Sequence, residues 1–260
     1  AVKKSNGIVL ISGPTGSGKT TTLYATLRLL NNIKSNIVTV EDPIEYDLAN
    51  INQAQVNTKS GVSFASALRS ILRQDPDIIM IGEIRDLQTA DMAIQAALTG
   101  HLVLSTLHTN DAPSSVTRLI DLGVPPYMIS ATVLGVMAQR LVRTLCPNCK
   151  APSETDPQAW DELVRPFKMK MPETLYQPVG CLECRGTGYR GRMGVYETMP
   201  LRTTLKNHIT RGADLETLTR ASLKSGMKPL RISGAMKVAK GLTTIEEVMR
   251  GAPSQDILMG

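Results

Sequence analysis

The sequence predicts an α/β protein built on a mostly parallel sheet, and three observations carry that prediction. Short apolar runs alternate with stretches whose apolar residues recur at helical spacing. Such alternation implies strand–helix–strand crossovers and a sheet covered by helices on both faces. The polar clusters follow the apolar runs, at the carboxyl ends of strands, where open α/β sheets form their ligand crevices. The first of these junctions is a glycine-rich loop.

The elements follow in order. Gly7 to Ser12 is expected as a buried strand, and a helix is expected from Thr20 to Leu30. Between them lies Gly13-Pro14-Thr15-Gly16-Ser17-Gly18-Lys19-Thr20, with the G-x-x-x-x-G-K-[ST] spacing of a triphosphate cradle. Glycines leave backbone N–H groups free to surround phosphate oxygens, and the following helix aims its positive end at them. Lys19 is placed to reach the β- and γ-phosphates and Thr20 to bind Mg²⁺; Thr21 completes the nucleotide-contacting set.

A second strand, Asn36 to Val40, ends in the acidic cluster Glu41, Asp42 and Glu45. Residues 51–56 form a hairpin or an edge strand. Ser63 caps a helix that stops at Asp75-Pro76. A third strand over 77–81 runs into Gly82-Glu83-Ile84-Arg85-Asp86, and a helix spans 87–98. A fourth strand, 102–107, ends in His108-Thr109-Asn110-Asp111 and precedes a helix over 114–122. A helix from Pro125-Pro126 and a strand over 136–145 follow. Helices are expected over 201–210, 214–225, 230–240 and 244–250, the last opened by a Thr244/Glu247 capping box.

Two strand ends rich in carboxylates suit phosphoryl transfer, which needs one acid near the metal and another near the attacking water. Glu83 stands where P-loop enzymes usually carry the Mg²⁺-linked Asp. Spacing alone does not choose among Glu41, Asp42 and Glu45 for the water. His108 is placed to sense a γ-phosphate, whereas His101 lies at the opposite end of the same strand.

The four cysteines form two Cys-x-x-Cys pairs, Cys146/Cys149 and Cys181/Cys184. Four thiolates in this pattern suit a closed, tetrahedral and therefore structural Zn²⁺ site. The chain divides on this reading into a nucleotide-binding core over 1–145, a tetracysteine zinc module over 146–190 and a C-terminal strand and helical part over 191–260.

At 260 residues with 42% apolar and 20% charged content, the chain is expected to fold around a core filled by aliphatic side chains, because aromatics are only 3%. The net charge is +6. There is no long Lys/Arg run and little aromatic interleaving, so no direct nucleic-acid contact is expected. No apolar run approaches the ~18–20 residues of a membrane span, and no secretory signal is expected ahead of the first strand.

Together these residues resemble the ATPases that power type II protein secretion and type IV pilus assembly. Gly13 to Thr20 is similar to the family's Walker A motif, Val40 to Glu45 to its Asp box, Met80 to Asp86 to its Glu-type Walker B, and Thr99-Gly100-His101 through Ala112 to its His box. Cys146, Cys149, Cys181 and Cys184, with Gly188 to Arg192, resemble its tetracysteine module. The resemblance implies a RecA-like fold, with Glu45 as general base, Glu83 as the Mg²⁺-linked acid, His108 as γ-phosphate sensor, and Lys19 and Arg85 in the catalytic set. It implies ATP, Mg²⁺ and structural Zn²⁺, a homo-hexamer, and inner-membrane platform and cytoplasmic docking proteins as partners. It also implies a cytoplasmic location at the bacterial inner membrane. The tetracysteine favours a secretion or pilus-extension motor over a retraction motor. Family members carry N-terminal domains that supply arginines in trans, so the chain is expected to be a C-terminal ATPase domain. The competing expectation is a RecA-like nucleic-acid translocase, including DNA-uptake or conjugation ATPases.

Overall fold

The computed structural model describes residues 1–2, 4–154 and 156–252. Residues 253–260, the end of the expected C-terminal part, lie outside the described residues. The chain forms two compact units: Ala1–Ala138 with Thr198–Ser222, and Gln139–Glu197 with Leu223–Gly260.

The first unit opens with β1 (Gly7–Ser12), α1 (Lys19–Leu30), β2 (Ile37–Glu41) and β3 (Asn52–Gln55). It continues through α2 (Phe64–Ile71), β4 (Ile78–Ile81), α3 (Leu87–Leu98), β5 (Leu102–Leu107), α4 (Pro113–Asp121) and α5 (Pro126–Thr132). The long strand β6 (Val133–Leu145) starts here and contributes its second half to the other unit. That unit adds β7 (Ala151–Ser153), α6 (Pro157–Val164), β8 (Leu175–Gln177) and most of β9 (Tyr189–Pro200). The helices α7 (Thr203–Thr210), α8 (Leu215–Lys224), α9 (Leu230–Val238) and α10 (Ile245–Gly251) complete the order.

Seven strands form one sheet in the order β3-β2-β4-β5-β1-β6-β9. Every pairing from β3 across to β6 is parallel. Residues 52–55 therefore resolve the hairpin-or-edge alternative: β3 is a parallel edge strand on β2. The strands β2, β4 and β5 are buried at every residue, which is why they read as predominantly apolar runs, broken only by the buried Thr39 and Glu41 of β2 and Ser105 and Thr106 of β5. The chain leaves β1 for the far side of the sheet, returns through β4 and β5, and then passes over β1 to β6. Ser12, the last residue of β1, aligns with Leu107 on one side and Ala138 on the other. The loop after β1 thus sits at the point where strand order reverses, flanked by strand ends on both sides.

Helix α1 is held by one face. Leu23, Tyr24 and Leu27 are essentially fully buried against Ile11, Ile37, Met80, Leu102 and Leu104. Each fully buried aliphatic side chain contributes about 2 kcal/mol, enough to seat the helix that carries Lys19 and Thr20. Local caps set the starts of α2 and α3. Ser63 caps α2 in a reciprocal box with Ser66, and Asp86 caps α3 by accepting from the Thr89 N–H at 2.7 Å.

The box expected at α10 forms only by half. Thr244 accepts from the Glu247 N–H at 3.3 Å, but the Glu247 carboxylate turns to Arg143 instead. It accepts from the Arg143 backbone N–H and Nε at 2.9 Å and from Nη2 at 2.7 Å, and pairs with Arg250 at 2.6 Å. Although burial pushes its pKa up, the Arg143 hydrogen bonds outweigh that and hold the carboxyl below its usual value. A bidentate guanidinium is the stronger partner for a buried carboxylate, so the tertiary pair displaces the local one.

Candidate active site

The glycine loop has the shape a phosphate cradle needs. Gly16 and Gly18 take φ angles of 78° and 86°, a region side chains rarely adopt. Gly18 is the N-cap of α1, contributes no side-chain cap, and no acidic residue stands in the first turn. The first amides of an α-helix have no intrahelical partner, and here no carboxylate competes for the positive end of the dipole. Pro14, Thr15 and Gly16 line an exposed rim, Ser17 is buried, and Gly18, Lys19 and Thr20 are half-buried. Thr21 is exposed on the next step of the helix. The Ser17 N–H closes the loop on the Pro14 carbonyl at 3.2 Å. Lys19 Nζ donates to the carbonyls of Gly13 at 2.8 Å and Pro14 at 3.0 Å, so its ammonium curls back over the loop. These residues fit a polyphosphate: a rim of amides, a helix N-terminus with no acidic residue in its first turn, and a cation held above it.

The loop is tied to the next strand end by the Gly13 N–H, which donates to the Leu107 carbonyl at 3.3 Å. One residue further on, His108 Nε2 lies 3.0 Å from Glu83 Oε1. Arg85 Nε donates to the other oxygen, Oε2, at 2.6 Å. Glu83 is 16% exposed, against 61% for Arg85 and 45% for His108. One half-sheltered carboxylate thus has an ionised guanidinium on one oxygen and an imidazole on the other. The Glu83 hydrogen bond raises the Arg85 pKa, and the charge of Asp42 adds to the effect, which places the end of β2 in the same field.

Hydroxyls on β5 hold this arrangement. Ser105 Oγ donates to the Ile81 carbonyl at 2.8 Å and Thr106 Oγ1 to the Gly82 carbonyl at 2.7 Å. The Ile84 N–H returns to the Thr106 carbonyl at 3.1 Å. The backbone on either side of Glu83 is pinned to the strand that ends in His108.

The acidic cluster after β2 separates into two environments. Glu41 is 3% exposed and accepts from Tyr24 Oη, from Thr39 Oγ1 at 2.6 Å and from Gln53 Nε2 at 3.0 Å. It is an interior carboxylate with both oxygens engaged. Asp42 and Glu45 are exposed on the loop that follows, which includes a cis Asp42–Pro43 bond. The Glu45 N–H donates to Tyr24 Oη at 3.3 Å, which leaves its carboxylate on the open side. His101, as its place in sequence implies, is remote from the strand ends. Its Nδ1 engages the Ala96 carbonyl at 2.8 Å and Thr99 Oγ1 at 3.0 Å, a local turn contact.

The family described as "Type II/IV secretion system protein" matches residues 1–250 of this chain. The chain belongs to that family. It is 57% identical over 251 residues to the "Type IV pilus assembly ATPase TfpB" of Acinetobacter baylyi, a match covering 96% of this chain and 43% of that protein. It is 52% identical over 250 residues to the "Type II secretion system protein E" of Pseudomonas aeruginosa, covering 96% of this chain and 49% of that one. Among solved structures it resembles a pilus retraction motor, PilT, with bound ADP. That likeness has a TM-score of 0.73 and 30% identity, and covers 98% of this chain and 64% of the other. The chain therefore spans about half the length of the curated relatives it matches.

In this secretion-family chain the second unit gathers the four cysteines. Their sulfurs all lie within 4.8 Å of one another. The separations are 3.9 Å for Cys146–Cys181, 3.8 Å for Cys149–Cys184 and 3.7 Å for Cys181–Cys184. A tetrahedral metal with bonds of about 2.3 Å to sulfur needs sulfur–sulfur edges of about 3.8 Å, so the donors stand at metal-binding spacing. Backbone amides point at them as well: Gly180 N–H to Cys149 Sγ at 3.3 Å, and the Cys181 and Gly188 N–H groups to Cys184 Sγ at 3.1 and 3.2 Å. Burial pushes the Cys184 thiol up, but the Cys181 and Gly188 amides outweigh it and bring it down to about 6; for Cys181 the backbone hydrogen bond at Cys184 pulls down, but burial and the bonds to the other thiols push it up to about 11.

Several residues around this family's strand-end site carry no local sequence signal. Tyr24 sits on the apolar face of α1 and reads as core. Gln53 and Gln55 sit on an edge strand and read as surface. Yet Gln53 Oε1 accepts from the Leu48 N–H at 2.7 Å and Gln55 Oε1 from the Ile44 N–H at 3.2 Å, so both anchor the loop that carries Glu45. Only the parallel pairing of β3 on β2 brings them there.

Proposed function

We propose that this chain is the ATP-hydrolysing part of a hexameric motor that powers type II protein secretion or type IV pilus assembly. The observation that carries the reading is Glu83, held between Arg85 and His108 beside a loop whose Lys19 overhangs its own carbonyls. The relatives, a type IV pilus assembly ATPase and a type II secretion system protein, support the same use.

On this reading residues 1–145 bind nucleotide, 146–190 form the metal-bearing module and 191–260 the C-terminal part. ATP sits on Gly13, Pro14, Thr15, Gly16, Ser17, Gly18, Lys19, Thr20 and Thr21. Lys19 leaves its carbonyl partners for the β- and γ-phosphates. Mg²⁺ bound through Thr20 and Glu83 would offset the phosphate charge. Glu45 orients and deprotonates the attacking water, and His108 reports γ-phosphate through the Glu83 carboxylate it already contacts. Arg85 holds the Glu83 side chain in place through its hydrogen bond. Arginines from outside this segment complete the site at subunit boundaries. Hydrolysis then moves subunits of the ring and drives pilin or pseudopilin polymerisation through inner-membrane platform and cytoplasmic docking proteins, with the motor on the cytoplasmic face.

The decisive measurement is Mg²⁺-dependent ATP turnover by the assembled protein, with subunit number read by native mass spectrometry and DNA or RNA added at rising salt. Six subunits whose turnover is indifferent to nucleic acid support the motor. Turnover stimulated severalfold by nucleic acid and lost steeply with salt replaces it with a translocase.

We further propose that Cys146, Cys149, Cys181 and Cys184 hold one structural Zn²⁺. Elemental analysis of reduced protein is expected to find one zinc per chain, and a strong chelator to lower the melting temperature of the tetracysteine unit by ten degrees or more. A protein free of zinc, whose melting is unmoved by chelator, rejects this.

A further inference from the structure

We propose that Tyr24 is a positioning residue for hydrolysis: its hydroxyl fixes the loop carrying Glu45 to the helix carrying Lys19 and Thr20. The inference rests on the reading of Glu45 as the base.

Tyr24 lies five residues beyond Lys19 on α1 and has no solvent exposure. Packing alone would be served by phenylalanine, but the hydroxyl stands at a junction. It donates to Glu41 Oε2 at the end of β2. It accepts from the Glu45 backbone N–H at 3.3 Å and from Gln53 Nε2, on β3, at 3.4 Å. One oxygen therefore joins three segments: the phosphate-loop helix, the end of β2 with its acidic loop, and the edge strand.

The ring adds a second hold on the same loop. Tyr46, next to Glu45, meets Tyr24 edge-on with centroids 4.7 Å apart, and the Arg28 guanidinium of α1 lies 5.5 Å from the Tyr46 centroid. Glu41 is committed to Thr39 and Gln53 besides Tyr24, so it cannot swing out to replace Glu45. Burial first, and then the Glu41 hydrogen bond, raise the Tyr24 pKa to about 12. The phenol stays protonated and keeps donating to Glu41 at every pH where the protein works.

The consequence is geometric. A base acts only when held within hydrogen-bond reach of the water, in line with the phosphate. The phosphate position is set by the start of α1 and the base by the loop after β2. The Tyr24 hydroxyl is a direct hydrogen-bonded link between the two. Removing it leaves the phosphate grip intact and lets Glu45 drift.

The test is a double-mutant cycle on the assembled protein, with steady-state ATP hydrolysis read against ATP affinity. Tyr24→Phe is expected to lower kcat about tenfold with KM for ATP changed less than twofold. In a Glu45→Gln background the same change is expected to cost less than twofold, because the group it positions is already gone. An equal loss in both backgrounds, a loss confined to KM, or unchanged kcat in Tyr24→Phe overturns the inference. If Glu45→Gln itself keeps full turnover, the base assignment fails, a result separable from failure of Tyr24 alone. Gln55→Ala covers the case in which Tyr24→Phe does not fold. It frees the Ile44 N–H from an exposed position, and a severalfold fall in kcat that vanishes in Glu45→Gln supports the inference, whereas wild-type kcat rejects it.

Discussion

Replacing Lys19 with alanine is expected to lower ATP turnover by at least a hundredfold while the chain stays folded. The ammonium donates to the loop carbonyls of Gly13 and Pro14 at 2.8 and 3.0 Å, just past the end of β1. Its removal costs the first unit little packing, because α1 is seated by Leu23, Tyr24 and Leu27 instead. The loss falls on charge that develops on the transferring phosphoryl group. Removing one preorganised donor from such a site typically costs 10²–10³ in rate. Circular dichroism and a phosphate-release assay on the same preparation measure both halves. A folded Lys19→Ala protein with full turnover would remove the nucleotide assignment altogether.

Glu45→Gln and Glu41→Gln are expected to fail in opposite ways. Glu45 is exposed and tied down through its backbone N–H, so the amide should fold normally, bind ATP with near-normal affinity and lose roughly 10²–10⁴ of kcat, the range of general-base contributions. Glu41 is buried among three donors, so an amide in its place turns an NH₂ group toward Tyr24 or Thr39 and leaves a donor unpaired. That costs about 1–3 kcal/mol, or several degrees of melting temperature for a domain of this size. Turnover per folded molecule should fall much less than in Glu45→Gln. Equilibrium ATP binding, thermal melting and kcat measured on both proteins check the pair. Abolished turnover in a stable Glu41→Gln protein, with Glu45→Gln near normal, would exchange the two roles.

Those contrasts follow the line between what was legible in sequence and what was not. The strands β1, β2, β4 and β5 were legible because a strand buried on both faces of a parallel sheet is mostly apolar, with its few polar groups hydrogen-bonded. The glycine loop was legible because positive φ at Gly16 and Gly18 restricts residue type at fixed spacing. The gathering of four sulfurs followed the same logic, since Cys-x-x-Cys is a turn that presents both thiols to one point. Thr244 and Glu247 show the limit of local rules. The cap formed as spacing implied, but its reciprocal arm went to Arg143, a residue more than a hundred positions away in sequence that offers a stronger bond.

By itself, then, the sequence determined what is imposed locally: the alternation of strands and helices, the phosphate-cradle loop, the acidic strand ends and the paired cysteine turns. Each is a pattern of residue type over a few positions, set by backbone sterics or by burial. Tertiary structure alone decided which carboxylates are free and which are spent. Glu41 and Glu45 look alike in the chain, yet only pairing β2 with β3 and seating α1 beside them brings Tyr24 and Gln53 onto Glu41 and leaves Glu45 open. Likewise Glu83, Arg85 and His108 became one group only when β4 and β5 lay side by side in parallel. A hydrogen bond depends on distances of about 3 Å between atoms, and separation along a chain says nothing of such distances until the fold has closed them.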